Sequence, residues 1–232
     1  MKIVFDNYSN CESCKSLWGF SLYLEKYKLL FDTGSNGRVL LHNIKELNIN
    51  ISEIEYIFIT HSHWDHIGGL DSVLELNNTI TLFAPSSLPI HLLQDLKTLT
   101  KEVILCDEKP KKLFSNLYTT GLLGKRMKEQ SLIIDDENNS TVISGCGHYG
   151  IKKIVEKSRH IISRNIKTAI GGFHMYDKNE EDILISIKEL KSIGVKQVVP
   201  THCSGDLAIQ LYQEHFKDYY IKGGVGEIEL SP

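Results

Sequence analysis

Thr60-His61-Ser62-His63-Trp64-Asp65-His66 places three imidazoles and a carboxylate within six residues, directly after the β-rich run Glu55 to Ile59 and before Gly68-Gly69. Imidazole and carboxylate are ligands for zinc, and they serve iron, manganese or nickel as well. In an extended segment alternate residues share a side, so His61 and His63 point together, and the turn that follows lets Asp65 and His66 face a neighbouring ion. A helix cap at Asp65 would account for one such residue but not for four. The glycines let the chain leave this crowded turn without a Cβ clash. Two more histidines follow predicted strand ends, His148 in Gly145-Cys146-Gly147-His148 and His202 in Pro200-Thr201-His202, and both are expected to bind metal. His174, in Gly171-Gly172-Phe173-His174-Met175, reads as a ligand, a proton donor or a satisfied core histidine. His42, His91, His160 and His215 lie in helical or linking stretches and read as surface residues.

Hydrophobic periodicity indicates which elements must position these groups. Strands are predicted at Lys2 to Phe5, Phe20 to Glu25 and Leu29 to Phe31, the last two around the polar turn Lys26-Tyr27-Lys28. Arg38 to Leu47 has helical apolar spacing, Glu55 to Ile59 reads as the strand that delivers Thr60 and His61, and Ile67 to Leu76 reads as one helix. A strand at Thr79 to Phe83, a helix at Ile90 to Leu99, and strands at Val103 to Leu105 and Phe114 to Thr119 follow. Ser131 to Asp135 and Thr141 to Ser144 flank the turn-forming residues 136–140, which predicts a hairpin. Beyond it come a helix from Ile151 to Lys157, a strand from Thr168 to Ile170, a helix from Glu180 to Ile193 and a strand from Gln197 to Val199. A last amphipathic helix starts at Gly205, and Glu227 to Leu230 reads as a closing strand.

The chain has 232 residues, 41% hydrophobic and 24% charged, which suits one α/β domain over 1–232. A net charge of −3 gives no basic face for nucleic acid, so a small molecule is the expected partner. No apolar run approaches the length of a membrane span and the first residues do not resemble a secretory signal, so a cytoplasmic protein with no membrane partner is expected. Cys11, Cys14, Cys106, Cys146 and Cys203 are an odd number in a chain that needs no staples. A disulfide framework is therefore not expected and most should be free thiols. The CxxC spacing of Cys11 and Cys14 belongs to redox and zinc sites, but a zinc ribbon requires a second pair and there is none.

The HxHxDH pattern after a buried strand, together with Leu30-Phe31-Asp32-Thr33-Gly34 upstream, resembles the metallo-β-lactamase superfamily. The segments around Cys146, His174 and His202 narrow the resemblance to the 7,8-dihydropterin-6-methyl-4-(β-D-ribofuranosyl)aminobenzene-5′-phosphate synthase subgroup. The resemblance implies a four-layer αββα sandwich with two divalent metal ions. By position, His61, His63 and His148 would hold one ion and Asp65, His66 and His202 the other, with Asp32 orienting the ligand loop through hydrogen bonds. The chain departs from most of the superfamily at the bridging carboxylate, where it has Cys146. The histidine usually found earlier, near Glu129-Gln130, is also absent. His148 rather than Cys146 is expected to complete the first site.

Two adjacent divalent ions, zinc foremost, would lower the pKa of a bound water for attack on carbon or phosphorus. The implied activity is metal-dependent hydrolysis of a small-molecule ester, phosphoester or lactone, including a pterin-related phosphate. Asp65 would orient or accept a proton, and His174 would protonate the leaving group. Lys125, Arg126 and Lys128 would suit a substrate anion, although such clusters are more often solvated. Trp18 and Phe20 are candidates for an apolar wall. Two other readings stand beside this one: a single-iron oxygen or sulfur oxidoreductase of the same fold, and a non-enzymatic metal or redox-sensing module using Cys11, Cys14 and Cys146.

Overall fold

The computed structural model describes residues 1–230. The chain divides into two compact units, Met1–Asp107 with Gly224–Ile228, and Glu108–Gly223 with the last described residues. Each consists of one mixed sheet and its helices.

In the first unit Lys2–Phe5 (β1), Ser21–Leu24 (β2) and Leu29–Phe31 (β3) pair antiparallel, and the short strand Gly226–Glu227 closes the β1 edge. Tyr56–Phe58 (β4), Thr81–Pro85 (β5) and Glu102–Cys106 (β6) extend the sheet in parallel from β3. Parallel neighbours need crossovers, which Gly37–Glu46 (α1), Trp64–Ile67 (α2), Leu70–Leu76 (α3) and Ile90–Leu99 (α4) supply. Asn36 caps α1 by accepting from Val39 N at 3.1 Å. The buried Leu40 and Ile44 of α1 join Val73 and Leu74 of α3 and the sheet residues Leu30, Ile57 and Leu82 in one core.

The predicted helix from Ile67 to Leu76 is in fact two helices, α2 and α3, parted at Gly68-Gly69. A Cβ at Gly68 would lie 2.4 Å from Ser35 O, and one at Gly69 2.4 Å from Thr33 O. The two glycines let the ligand loop pass against the segment that carries Asp32, and that contact overrides helical periodicity.

In the second unit Lys111–Phe114 (β7), Leu117–Thr119 (β8), Leu132–Ile134 (β9) and Thr141–Ser144 (β10) pair antiparallel in turn. Thr168–Gly172 (β11) and Gln197–Thr201 (β12) continue in parallel from β10. The hairpin across residues 136–140 forms as predicted. The single strand expected at Phe114 to Thr119 is strand at Leu117–Thr119 but is broken by the turn of another hairpin after Phe114, with Ser115 in the left-handed region at φ 47°. Ile151–Ile162 (α5), Glu180–Ser192 (α6) and Asp206–Phe216 (α7) pack Ile154, Ile187, Leu211 and Tyr212 onto Val142, Ala169 and Val198. α5 runs five residues beyond its predicted end at Lys157, where Ile161 and Ile162 pack against the core and Ser158 turns inward to donate to Ile154 O at 2.8 Å. Near the C-terminus only Gly226–Glu227 is strand, shorter than the expected run to Leu230. Among the described residues no helix is long and apolar enough to cross a membrane.

Candidate functional site

In the first unit, strand β4 ends two residues before Thr60-His61, so the ligand loop leaves the sheet at a parallel strand's C-terminal end. The loop is stitched to the turn after β3. Thr33 N donates to His66 O at 2.7 Å and Gly68 N to Gly34 O at 2.8 Å. Asp32 is fully buried with φ 51°, and its carboxylate meets three donors: Thr60 N at 2.8 Å, Thr60 Oγ1 at 2.8 Å and His66 Nδ1 at 2.7 Å. The contacts give Asp32 the orienting position that the resemblance implied.

These bonds also fix the imidazole tautomers. A carboxylate only accepts, so His66 donates from Nδ1, and in the neutral imidazole Nε2 is then the acceptor nitrogen. The single hydroxyl proton of Thr60 goes to Asp32, so its oxygen accepts from His61 Nδ1 at 2.9 Å, and Nε2 is the acceptor nitrogen of the neutral His61 ring as well. His61 Nε2 lies 3.0 Å from His63 Nδ1. Two nitrogens on one tetrahedral zinc stand about 3.3 Å apart, given Zn–N near 2.05 Å. His66 Nε2 is 3.9 Å from Asp65 Oδ2, and the His61 and His66 ring centroids are 4.3 Å apart. This donor set fits a divalent ion in ligand type, spacing and tautomer.

Trp18 has a role the sequence did not reveal. Its indole N–H donates to Asp65 Oδ2 at 2.8 Å, so it orients a carboxylate rather than forming only an apolar wall. Phe20 is fully buried and packs edge-on against Phe31 in the core.

In the second unit, β10, β11 and β12 end in sequence at Cys146-Gly147-His148, Phe173-His174 and His202-Cys203. Cys146, His148 and His174 bring their donor atoms within 4.8 Å of one another. The His148 and His174 ring centroids are 4.4 Å apart, and Cys146 Sγ lies 3.5 Å from His202 Nε2. His174 and His202 both sit in the left-handed region, at φ 54° and φ 51°, a conformation that L residues hold only where packing enforces it. Hydrogen bonding with Cys203 holds the His174 imidazole above its ordinary 6.5, against the opposing effect of burial, and the charges of Asp177 and Glu129 add to the rise. Burial pushes the Cys203 thiol up, but bonds from Cys146 and His174 and the charge of His202 bring it well below 9.0.

Cys203 and Glu129 were not singled out from sequence. A Cys directly after a candidate ligand was the available sign for the first. For Glu129 there was none, because its partners are the backbone amides of a loop on another strand. Lys125 and Arg126 are exposed, while Lys128 pairs with Glu108 at 2.5 Å. His91, His160 and His215 are exposed as expected, and the half-buried His42 bonds Ser13 O at 2.8 Å. Cys11 and Cys14 form a disulfide, their Cα atoms being 5.2 Å apart, whereas Cys106, Cys146 and Cys203 are free and buried. Most thiols are free, as expected, with this pair the exception.

The sequence profile of the Metallo-beta-lactamase superfamily matches residues 21–202. The chain is 30% identical to the 7,8-dihydropterin-6-methyl-4-(beta-D-ribofuranosyl)-aminobenzene-5'-phosphate synthase of Methanocaldococcus jannaschii, over 88% of this chain and 84% of that one. Among solved structures it is similar to Tm1679, a metal-dependent hydrolase of the beta-lactamase superfamily, with a TM-score of 0.82 and 23% identity over 100% of this chain and 98% of that one. It is also similar to a diphosphatase from the PhnP family, with a TM-score of 0.59 and 14% identity over 99% and 97% of the two chains. The HxHxDH loop, the buried Asp32 beneath it, two mixed sheets with their helices and a profile match over most of the sequence place the chain in the metallo-β-lactamase superfamily.

Proposed function

We propose that this protein is a metal-dependent hydrolase of small-molecule phosphoesters, esters or lactones, with a pterin-related phosphate as the first substrate class to test. The observation that carries the reading is the pair His61 and His66, each held at Nδ1 by the buried network of Thr60 and Asp32, with His63 and Asp65 beside their Nε2 atoms. A metal-ligating imidazole almost always donates its other ring N–H to a carboxylate or another oxygen, and His66 to Asp32 and His61 to Thr60 have that arrangement.

In this proposal His61, His63 and His148 hold one divalent ion and Asp65, His66 and His202 a second, with zinc the metal favoured by the donor set. When bound, such ions acidify water and stabilise developing negative charge on an oxyanion. Asp65, with one carboxylate oxygen taken by Trp18, orients and accepts the proton of the nucleophile. His174, whose imidazole is held above its ordinary value by Cys203, donates to the leaving group. The Methanocaldococcus jannaschii relative is named for a 5'-phosphate, which supports a phosphorylated substrate here. Exposed Lys125 and Arg126 are the cations available to meet it.

The test is elemental analysis of anaerobically purified protein followed by turnover assays on phosphomonoesters, phosphodiesters, lactones and thioesters. Bound zinc with phosphoester or lactone turnover supports the proposal. A single bound iron with oxygen consumption would support the oxidoreductase reading instead, and metal binding without any turnover would support a sensing module.

A further inference from the structure

Glu129 is a carboxylate, 2% exposed, that lies outside the proposed donor set. Its Oε1 accepts from Cys146 N at 2.7 Å and from Gly147 N at 3.0 Å, and its Oε2 accepts from His148 N at 2.8 Å. Three successive amides converge on one anion only where the backbone bends into a concave nest. Gly147 makes the bend with φ 74°, and a Cβ there would lie 2.9 Å from Gly172 O at the end of β11.

The backbone that carries this carboxylate is itself anchored. Glu129 N donates to Leu123 O at 3.0 Å, and Glu129 O accepts from Leu123 N at 2.8 Å. The next residue, Gln130, accepts from Thr119 Oγ1 at 2.6 Å. A buried carboxylate is tolerated where charge-assisted bonds meet its lone pairs, and these three amides do so. The consequence falls on His148. Once its N–H is held, its backbone and its Cα–Cβ direction are set, and only the two side-chain torsions remain to aim the imidazole.

We propose that Glu129 is a positioning residue for the metal site: it holds Cys146-Gly147-His148 as a rigid nest and so presents the His148 imidazole as a ligand. This inference rests on the reading of His148 as a metal ligand. A carboxamide cannot replace the carboxylate, because its NH2 group would face an amide N–H where an acceptor is required.

The test is a zinc-binding cycle on the full chain, using a competing chelator, with wild type, Glu129→Gln, His148→Ala and the double variant. Far-UV circular dichroism checks that each is folded. Glu129→Gln is expected to weaken zinc binding by about tenfold to a hundredfold, as for other groups that orient ligands. The double variant is expected to bind no more weakly than His148→Ala alone, since Glu129 acts through His148. Wild-type zinc affinity in Glu129→Gln, or additive losses in the double variant, would overturn the inference while leaving His148 a ligand. Wild-type affinity in His148→Ala would overturn the ligand reading and the inference with it. If Glu129→Gln fails to fold, Glu129→Asp, which keeps the charge one methylene short of the amides, takes its place in the same cycle with the same outcomes.

Discussion

At the scale of single residues, hydrogen bonds to Asp32 and Thr60 set the direction of the ligand loop's buried imidazoles. Asp32 shows how far this extends, because one buried carboxylate sets the tautomer of His66 directly and that of His61 through Thr60. Asp32→Asn would turn one acceptor into a donor in that network. It should cost about tenfold to a hundredfold in metal affinity, read by chelator competition. His63→Ala should remove at least one metal equivalent and abolish turnover while circular dichroism stays native, since the ring is partly exposed and outside the apolar core. Full metal content in that variant would sink the ligand assignment.

His174 gives the pH dependence. Its folded pKa lies above 6.5, so the imidazole is protonated below that folded value and loses its proton as pH rises through it. The rate of leaving-group protonation should therefore fall on the alkaline side. His174→Asn should lower kcat by about 10²-fold to 10⁴-fold and flatten that limb in a pH–rate profile. A profile unchanged by the substitution would exclude His174 as the acid.

At the scale of elements, the loops that carry Asp32, His61, His148, His174 and His202 follow the C-terminal ends of strands. In the β4 loop, Gly69 lies against Thr33 O and the Leu40 side chain. Gly69→Ala should cost about 1–3 kcal/mol through overpacking, measured by urea unfolding, and should loosen the ligand loop. Asn36→Ala removes the α1 cap and should cost about 1 kcal/mol with no change in metal content. The contrast between the two variants separates a glycine that shapes the site from a cap that supports only a helix.

At the scale of the whole molecule, each unit has its own apolar core, so the fold should not depend on the ion. Chelation should abolish activity while leaving far-UV circular dichroism largely unchanged, and added zinc should restore turnover. Penicillin hydrolysis should be negligible beside phosphoester or lactone turnover if, as the resemblance implies, the buried Cys146 takes the place of the usual bridging carboxylate. Efficient turnover of a penicillin would overturn that reading.

The sequence by itself determined the family and the outline of the ligand loop. His61, His63, Asp65 and His66 lie within six residues, so their proximity is covalent and needs no fold to establish it. Strand β4 was likewise readable as a local β-rich run, and helices α1 and α4 because their periodicity is local and their burial one-sided. Tertiary structure decided what depends on distant backbone: the break between α2 and α3, the Trp18 bond to Asp65, the hold of Asp32 on two imidazoles and the Glu129 nest beneath Cys146-Gly147-His148. In each case one partner is a main-chain group or a residue far along the chain. Residue type does not record where such a partner will lie, because only packing brings it within hydrogen-bond reach.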